Sequence, residues 1–349
     1  MRSLLAIDVG AGTQDILLYR SDQPMENCVK MVLPSPTVLV SKKIREAAEL
    51  GKDITLRGTI MGGGPCVGAI KEHLKKGLKV YATPKAALTI ADNLANVEAM
   101  GILITSDPPK QNTVNIELKD LDIPTLSKAL ASYHVELPSE VAVAVQDHGH
   151  CPTGSNRKFR FQHWEQFMLS GGQISELCYQ EVPSYFTRMK AIQETYAGAI
   201  LMDTGAAAIW GALADPVVMK YKENGFMAVN LGNQHTLGIF LQGDRIWGLF
   251  EHHTRLLTVD KVIALIRRLA EGSLINEDVY HDGGHGAYIH PQYRPYNKKP
   301  FVAILGPQRH LLRDKVSDKE FYMAAPYGDM MLAGCFGLVA ASGFLPIQI

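Results

Sequence analysis

At 349 residues, 46% apolar and 20% charged, the chain is long enough for two domains or one bilobal unit and has the make-up of a soluble globular protein. Its formal net charge is zero, which excludes a broad electrostatic attraction to nucleic acid or to an anionic membrane. The five cysteines, Cys28, Cys66, Cys151, Cys178 and Cys335, are scattered and never form a Cys-x-x-Cys pair. That pattern argues for reduced thiols in the cytoplasm, and against a disulfide framework or a cysteine-held zinc or iron–sulfur cluster.

An apolar strand, 4–7, enters the turn Asp8-Val9-Gly10-Ala11-Gly12-Thr13-Gln14-Asp15 and leaves it in a second apolar run, 16–19. Two strands joined in this way make a hairpin, and residues 1–33 read as strands throughout. Gly10 and Gly12 let the backbone approach a ligand, and successive N–H groups there form an anion nest. Asp8, at the strand end, is placed to hold Mg²⁺ through water, because that ion keeps much of its hydration shell. Thr13 offers a hydroxyl to a phosphate. Without a ligand the same segment is an ordinary glycine-rich hairpin. The opening apolar run is too short for a signal peptide or a membrane span.

Residues 40–50 read as a short amphipathic helix ended by Gly51, and 54–61 as a strand. Gly62-Gly63-Gly64-Pro65 then leads into a helix, 66–76, ended by Gly77. A glycine run entering a helix N-terminus suits a phosphate or carboxylate, and equally a tight turn. A strand, 78–82, and helices to about residue 100 follow. Residues 106–125 are polar and Pro-containing, a loop or small excursion. Val141–Val145 is a continuous apolar run, the mark of a buried strand, and ends in Gln146-Asp147-His148-Gly149-His150. Residues 151–165 are polar and basic and read as a surface loop.

A second buried strand, 199–202, ends at Asp203-Thr204-Gly205 and enters an alanine-rich helix, 206–213. Residues 226–250 read as strand, Gly232 turn, strand, Gly243-Asp244 turn, strand. A helix over 259–271 follows. Residues 280–300 are rich in His, Gly, Tyr and Pro without periodicity, and read as a mobile surface loop. Phe301–Leu305 is a strand ending in Gly306-Pro307. The last helix covers about 329–342; the apolar stretch around it is interrupted by glycines and reads as buried, too short to span a membrane.

The glycine-turn hairpin occurs twice, near residues 10 and 232, and suggests two related halves. In this order the motifs resemble those of the actin, sugar-kinase and heat-shock ATPase superfamily. The first phosphate motif is similar to Asp8-x-Gly10-x-Gly12-Thr13. The connecting element Met202-Asp203-Thr204-Gly205-Ala206-Ala207-Ala208-Ile209-Trp210-Gly211 resembles the family's Asn-Asp-x-x-Ala-Ala-x-x-Gly and Glu-Pro-Thr-Ala-Ala patterns. The second phosphate motif resembles Val229-Asn230-Leu231-Gly232-Asn233-Gln234-His235-Thr236-Leu237-Gly238, and the adenosine motif Ala303-Ile304-Leu305-Gly306-Pro307. Two departures stand out: Asn230 with a single Gly232 ahead of bulky Asn233, Gln234 and His235, and Pro307 where a second glycine is usual. The whole chain is also similar to a family labelled as activating proteins of pyruvate formate-lyase. A radical-type activase needs Cys-x-x-x-Cys-x-x-Cys, and that motif is missing here.

The resemblance implies an α/β, bilobal actin-like ATPase (ribonuclease H-like) fold with two related halves around a nucleotide cleft. The expected division is a first lobe over 1–204 with an unmapped insertion around 51–200, a second lobe over 205–324, and a C-terminal helix in 325–349 packing back toward the first. ATP and Mg²⁺ are the implied cofactors. Gly10, Gly12, Thr13, Gly232, Asn233, Gln234, His235 and Thr236 would hold phosphates, Gly306 and Pro307 the adenosine, and Asp8 the metal.

The implied activity is a kinase acting on a small hydroxyl or carboxyl substrate, with Asp203 as general base and Asp147 as second choice. Asp203 serves equally well as a helix N-cap. His148 and His150, beside Asp147, are substrate or metal candidates. Glu251, His252, His281 and His285 are candidates for substrate contact, and the histidines at 281, 285 and 290 also for a metal or anion. The alternatives are an ATPase switch that activates a partner enzyme and a non-catalytic nucleotide-binding module. A homodimer is compatible with each; nucleic acid and membrane are not expected partners.

Overall fold

A computed structural model of the chain describes residues 2–109, 111–295, 299–313 and 320–345. Three sheets organise it. In the first, Val29–Pro34, Thr13–Arg20 and Ser3–Val9 run antiparallel as neighbours; Val141–Val145 and then Ile200–Met202 continue the sheet in parallel, with Cys178–Tyr179 at the far edge. Numbered along the chain, the five principal strands lie in the order third, second, first, fourth, fifth.

The second sheet repeats that order. Arg245–His253, His235–Gln242 and Phe226–Leu231 are antiparallel neighbours, and Phe301–Leu305 and Tyr322–Met323 continue in parallel. Its extra edge strand, Gly286–Ile289, sits at the opposite end, beside Arg245–His253. Two mixed sheets sharing one strand order, each opened by a glycine-turn hairpin, are the ribonuclease H-like halves of the actin-like ATPase fold. Val141–Val145 is buried on both faces, as parallel strands between layers are.

Two helices sit between these sheets. Thr204–Ala212 contacts Phe226–Leu231 and Phe301–Leu305, while Ala333–Ala341 packs on Ser3–Val9 and on its partner helix. Both are apolar almost all round, which fits burial on every side. Their approach requires glycine. A β carbon on Gly211 would overlap the Ala333 carbonyl, and one on Gly337 the Ala207 carbonyl.

The remaining sheet has four parallel strands in the order Leu103–Ile104, Val80–Ala82, Asp53–Gly58, Thr113–Leu118. It has its own core around Ile44, Ile54, Leu56, Ile70 and Val80. Thr113–Leu118 and the helix Ile123–Ala131 replace most of the loop expected over 106–125. As an edge strand with alternate residues exposed, Thr113–Leu118 lacks the apolar run of a central one.

The surface loop expected over 151–165 is instead the helix Asn156–Leu169, capped by the Ser155 hydroxyl. Its buried face carries Arg160, Phe161, Trp164 and Met168, so a charge interrupts the apolar pattern. The stretch 280–300 is also more ordered than expected. Asn276–His281 is helical and Gly286–Ile289 is a strand, while 296–298 fall outside the described residues. Among the described residues no helix is long and apolar enough to cross a membrane, and all five cysteines are free thiols.

Candidate active site in the cleft

A cleft of about 290 Å³ opens between the two repeated sheets. The two hairpin turns face it with one shared backbone geometry. The Gly10 N–H donates to the Thr13 carbonyl at 2.9 Å, and the Gly232 N–H to the His235 carbonyl at 3.0 Å. Gly10, Thr13, Gly232, Asn233, Gln234 and His235 line the cleft, and a β carbon on Gly12 would stand 2.8 Å from Asn233 Nδ2. Gly306 and Pro307 also line the cleft. Gly306 has φ +90°, and any β carbon there would run into the Leu231 carbonyl. Thr236 does not reach the cleft: its hydroxyl is buried and pairs with Thr254 Oγ1 at 3.0 Å.

Asp8 and Asp15 are cross-strand partners in the first hairpin. Burial pushes the Asp8 carboxyl up to about 7 against the pull of a hydrogen bond from the Thr204 hydroxyl. Burial and the nearby Asp8 charge push Asp15 up to about 8. Asp15 Oδ1 is buried without a hydrogen-bond partner. Two crowded, desolvated carboxylates with an unsatisfied oxygen are a donor set suited to a hard oxygen-seeking cation such as Mg²⁺. The glycine cradles and this carboxylate pair together fit a phosphate–Mg²⁺ group.

Arg160 is buried and lines the cleft. Its Nη1 donates to Asp203 Oδ2 at 2.8 Å and to the Asp147 carbonyl at 2.9 Å, and its Nε to Glu251 Oε2 at 2.6 Å. Asp203 also caps its own helix, accepting the Gly205 N–H at 3.0 Å. Burial opposes a charge on Glu251, but Arg160 and the His285 ring hold its carboxyl well below the usual range. Gln146 donates a further hydrogen bond to Glu251.

Asp147, the second choice for general base, is taken up by backbone. Its Oδ1 accepts from the Gly149 N–H and its Oδ2 from the Arg188 and Met189 N–H groups, at 2.9–3.0 Å. That seats the start of the helix Thr187–Thr195 and leaves Asp147 a structural anchor rather than a free base. Arg188 in turn forks onto Asp120, with Nε–Oδ2 at 2.7 Å and Nη2–Oδ1 at 2.9 Å. The Gly62 N–H also donates to Asp120, so that glycine run is partly occupied by the protein's own carboxylate.

Sequence reading missed Arg160, Arg188, Asp120 and Gln146. Their side-chain partners lie between 43 and 105 residues away along the chain, and no local pattern marks such pairs.

The candidate histidines separate. His148, His235 and His285 converge, with ligating nitrogens all within 4.8 Å of one another, and the His253 ring packs tilted against His235 and edge-on to His285. Burial, reinforced by Arg160, holds His148 well below its ordinary value, and burial holds His235 down to about 3. His285 is buried, in place of the mobile loop expected there. His252 turns away to Asp282, 3.2 Å distant. His281 ends the helix Asn276–His281, is exposed, and does not line the cleft. His150 lies 3.7 Å from Asp92 Oδ1.

No curated protein matches this sequence. Among solved structures, the ethanolamine utilization protein EutJ from Carboxydothermus hydrogenoformans is similar over 97% of this chain and 89% of its own, at 10% identity and a TM-score of 0.34. A Bacteroides thetaiotaomicron protein described as having an actin-like ATPase fold is similar over 92% and 90%, at 6% identity and 0.34. A chain of the PilM-PilN type IV pilus biogenesis complex is similar over 98% and 99%, at 13% identity and 0.40. At these values the fold assignment rests on the strand order itself. Residues 61–311 match the family described as "Putative pyruvate format-lyase activating enzyme (DUF1786)", and the chain belongs to that family.

Proposed function

We propose that the chain binds Mg·ATP in the cleft and passes the γ-phosphoryl group to a small hydroxyl or carboxyl acceptor. The observation that carries this is the matched pair of glycine turns, Gly10–Thr13 and Gly232–His235, opposed across one cleft. Each turn offers backbone N–H groups to an anion, and none of its glycines has a side chain to keep the anion out. Asp8 and Asp15 would hold Mg²⁺, which when bound neutralises charge on the phosphate oxygens.

Asp203 is the proton acceptor in this reading. Arg160 and the Gly205 N–H fix its carboxylate, and it lines the cleft. Arg160 orients Asp203 and Glu251 together, so one guanidinium sets the acceptor side of the site.

A second reading, an ATP-driven switch acting on a partner, is favoured by contacts that cross the cleft. A β carbon on Gly64, beside the four-stranded sheet, would stand 3.1 Å from Gln234 Nε2 in the second glycine turn. Cleft closure there would move the four-stranded sheet relative to the second half. The family's description as an activating enzyme fits this reading better than radical chemistry, because the five cysteines include no Cys-x-x-x-Cys-x-x-Cys set.

The test is transfer of label from γ-labelled ATP to a panel of small hydroxyl and carboxyl compounds. Wild type is expected to label at least one, and Asp203→Asn to bind ATP without labelling it. ATP binding with no acceptor labelled, and ADP release only with a protein partner, would favour the switch.

A further inference from the structure

We infer that His148, His235 and His285 form a second metal site, distinct from the carboxylate pair, that binds a first-row transition ion of the Zn²⁺ type across the cleft. The three ligating nitrogens lie within 4.8 Å of one another. His285 is 2% exposed, and its Nδ1 has no hydrogen-bond partner.

Three parts of the chain supply the donors. His148 follows the strand Val141–Val145 of the first sheet, His235 opens the second sheet's strand His235–Gln242, and His285 precedes its edge strand Gly286–Ile289. An ion held by all three would tie the two halves together. His148 and His235 line the cleft while His285 lies behind them, so the fourth position faces the cleft. Three imidazoles with one open position are the donor set of a catalytic-type Zn²⁺ site. Nitrogen donors disfavour Mg²⁺ and Ca²⁺, which take oxygen.

Charge and outer contacts agree. The single positive charge of Arg160 is met by two carboxylates, Asp203 and Glu251, so the surroundings do not repel a cation. Glu251 Oε1 lies 3.4 Å from His285 Nδ1. A small turn of the ring would make that a carboxylate–histidine hydrogen bond and present Nε2 to the ion. Tetrahedral ligands at Zn–N distances of 2.0–2.1 Å stand about 3.4 Å apart, so binding draws the rings inward. A cleft-facing ion of this kind would take an anionic oxygen, phosphoryl or carboxylate, as its fourth ligand.

The test uses the full chain without a histidine tag, stripped by a chelator, free of nucleotide, and titrated with Zn²⁺ alone and with Co²⁺ alone. One Zn²⁺ per chain is expected, and bound Co²⁺ should give the strong visible absorption of a four-coordinate nitrogen site. His285→Gln and His148→Gln are each expected to weaken Zn²⁺ binding by about 100-fold or more, since even outer partners of a ligand are worth 10–100-fold. The exposed His281→Gln should leave it unchanged. Absence of stoichiometric Zn²⁺, a hydrated octahedral Co²⁺ spectrum, or full affinity in both cleft variants would overturn the site. The Co²⁺ spectrum needs no variant, so a misfolded mutant cannot leave the question open. Nucleotide takes no part, so this result stands apart from that of the ATP proposal.

Discussion

Gly12 and Asn233 meet across the cleft: a β carbon on Gly12 would stand 2.8 Å from the Asn233 side-chain amide. One belongs to the first hairpin turn and the other to the second, so the contact joins the two repeated halves where phosphates are proposed to lie. Gly12→Val should press on Asn233 and hold the turns apart. The expected result is weaker ATP binding with little change in thermal stability, read by calorimetry and a melt.

Arg160 is the second junction. Removing it leaves Glu251 and Asp203 buried without their counter-charge. Arg160→Met should cost about 3–5 kcal/mol in chemical denaturation, the range for breaking a buried pair from one side. Arg160→Met with Glu251→Gln should recover part of that loss, because the two sites are directly coupled.

The helix pair between the sheets gives a third prediction. Gly211→Ala would place a methyl into the Ala333 carbonyl and Gly337→Ala one into the Ala207 carbonyl. Backbone cannot give way as a side chain does, so each variant should lose about 1–3 kcal/mol. The double variant should fall short of the sum, because both substitutions push the same two helices apart. Full additivity would contradict a shared contact.

His73, fully buried in the helix Gly64–Lys75, supplies a pH dependence. Burial holds its imidazole below the ordinary 6.5. Below pH 6.5 the unfolded chain takes up a proton that the folded chain refuses, so stability falls on acidification and is unaffected above that value. The slope from this one group is at most about 1.4 kcal/mol per pH unit. His73→Leu should reduce the slope between pH 6.5 and the lower folded value by this one group's share, and an unchanged profile would contradict the assignment.

Much of the frame was legible in the sequence because it rests on local signals. The hairpins at Gly10 and Gly232, the apolar run Val141–Val145 and the step from Met202 through Asp203 into an alanine-rich helix each announce themselves within a dozen residues. The helix Asn156–Leu169 did not, because Arg160 sits on its buried face and makes it read as surface. Thr113–Leu118 was hidden for a related reason: an edge strand need not be apolar. Within the cleft, glycines and Asp8 were readable from their turn, but Arg160, Arg188 and the convergence of His148 with His235 and His285 depend on contacts between distant segments. Thr236 and His252 carried the right chemistry at the right place in the chain, yet strand alternation turned both away from the cleft.

The most direct measurement of the central claim is isothermal titration of the full chain with ATP and Mg²⁺, on wild type and on Asp8→Ala. Wild type is expected to bind one ATP per chain and Asp8→Ala to lose most of that affinity, with the variant still folded in a melt. No binding to wild type, or equal binding to both, would contradict a nucleotide held between the two glycine turns.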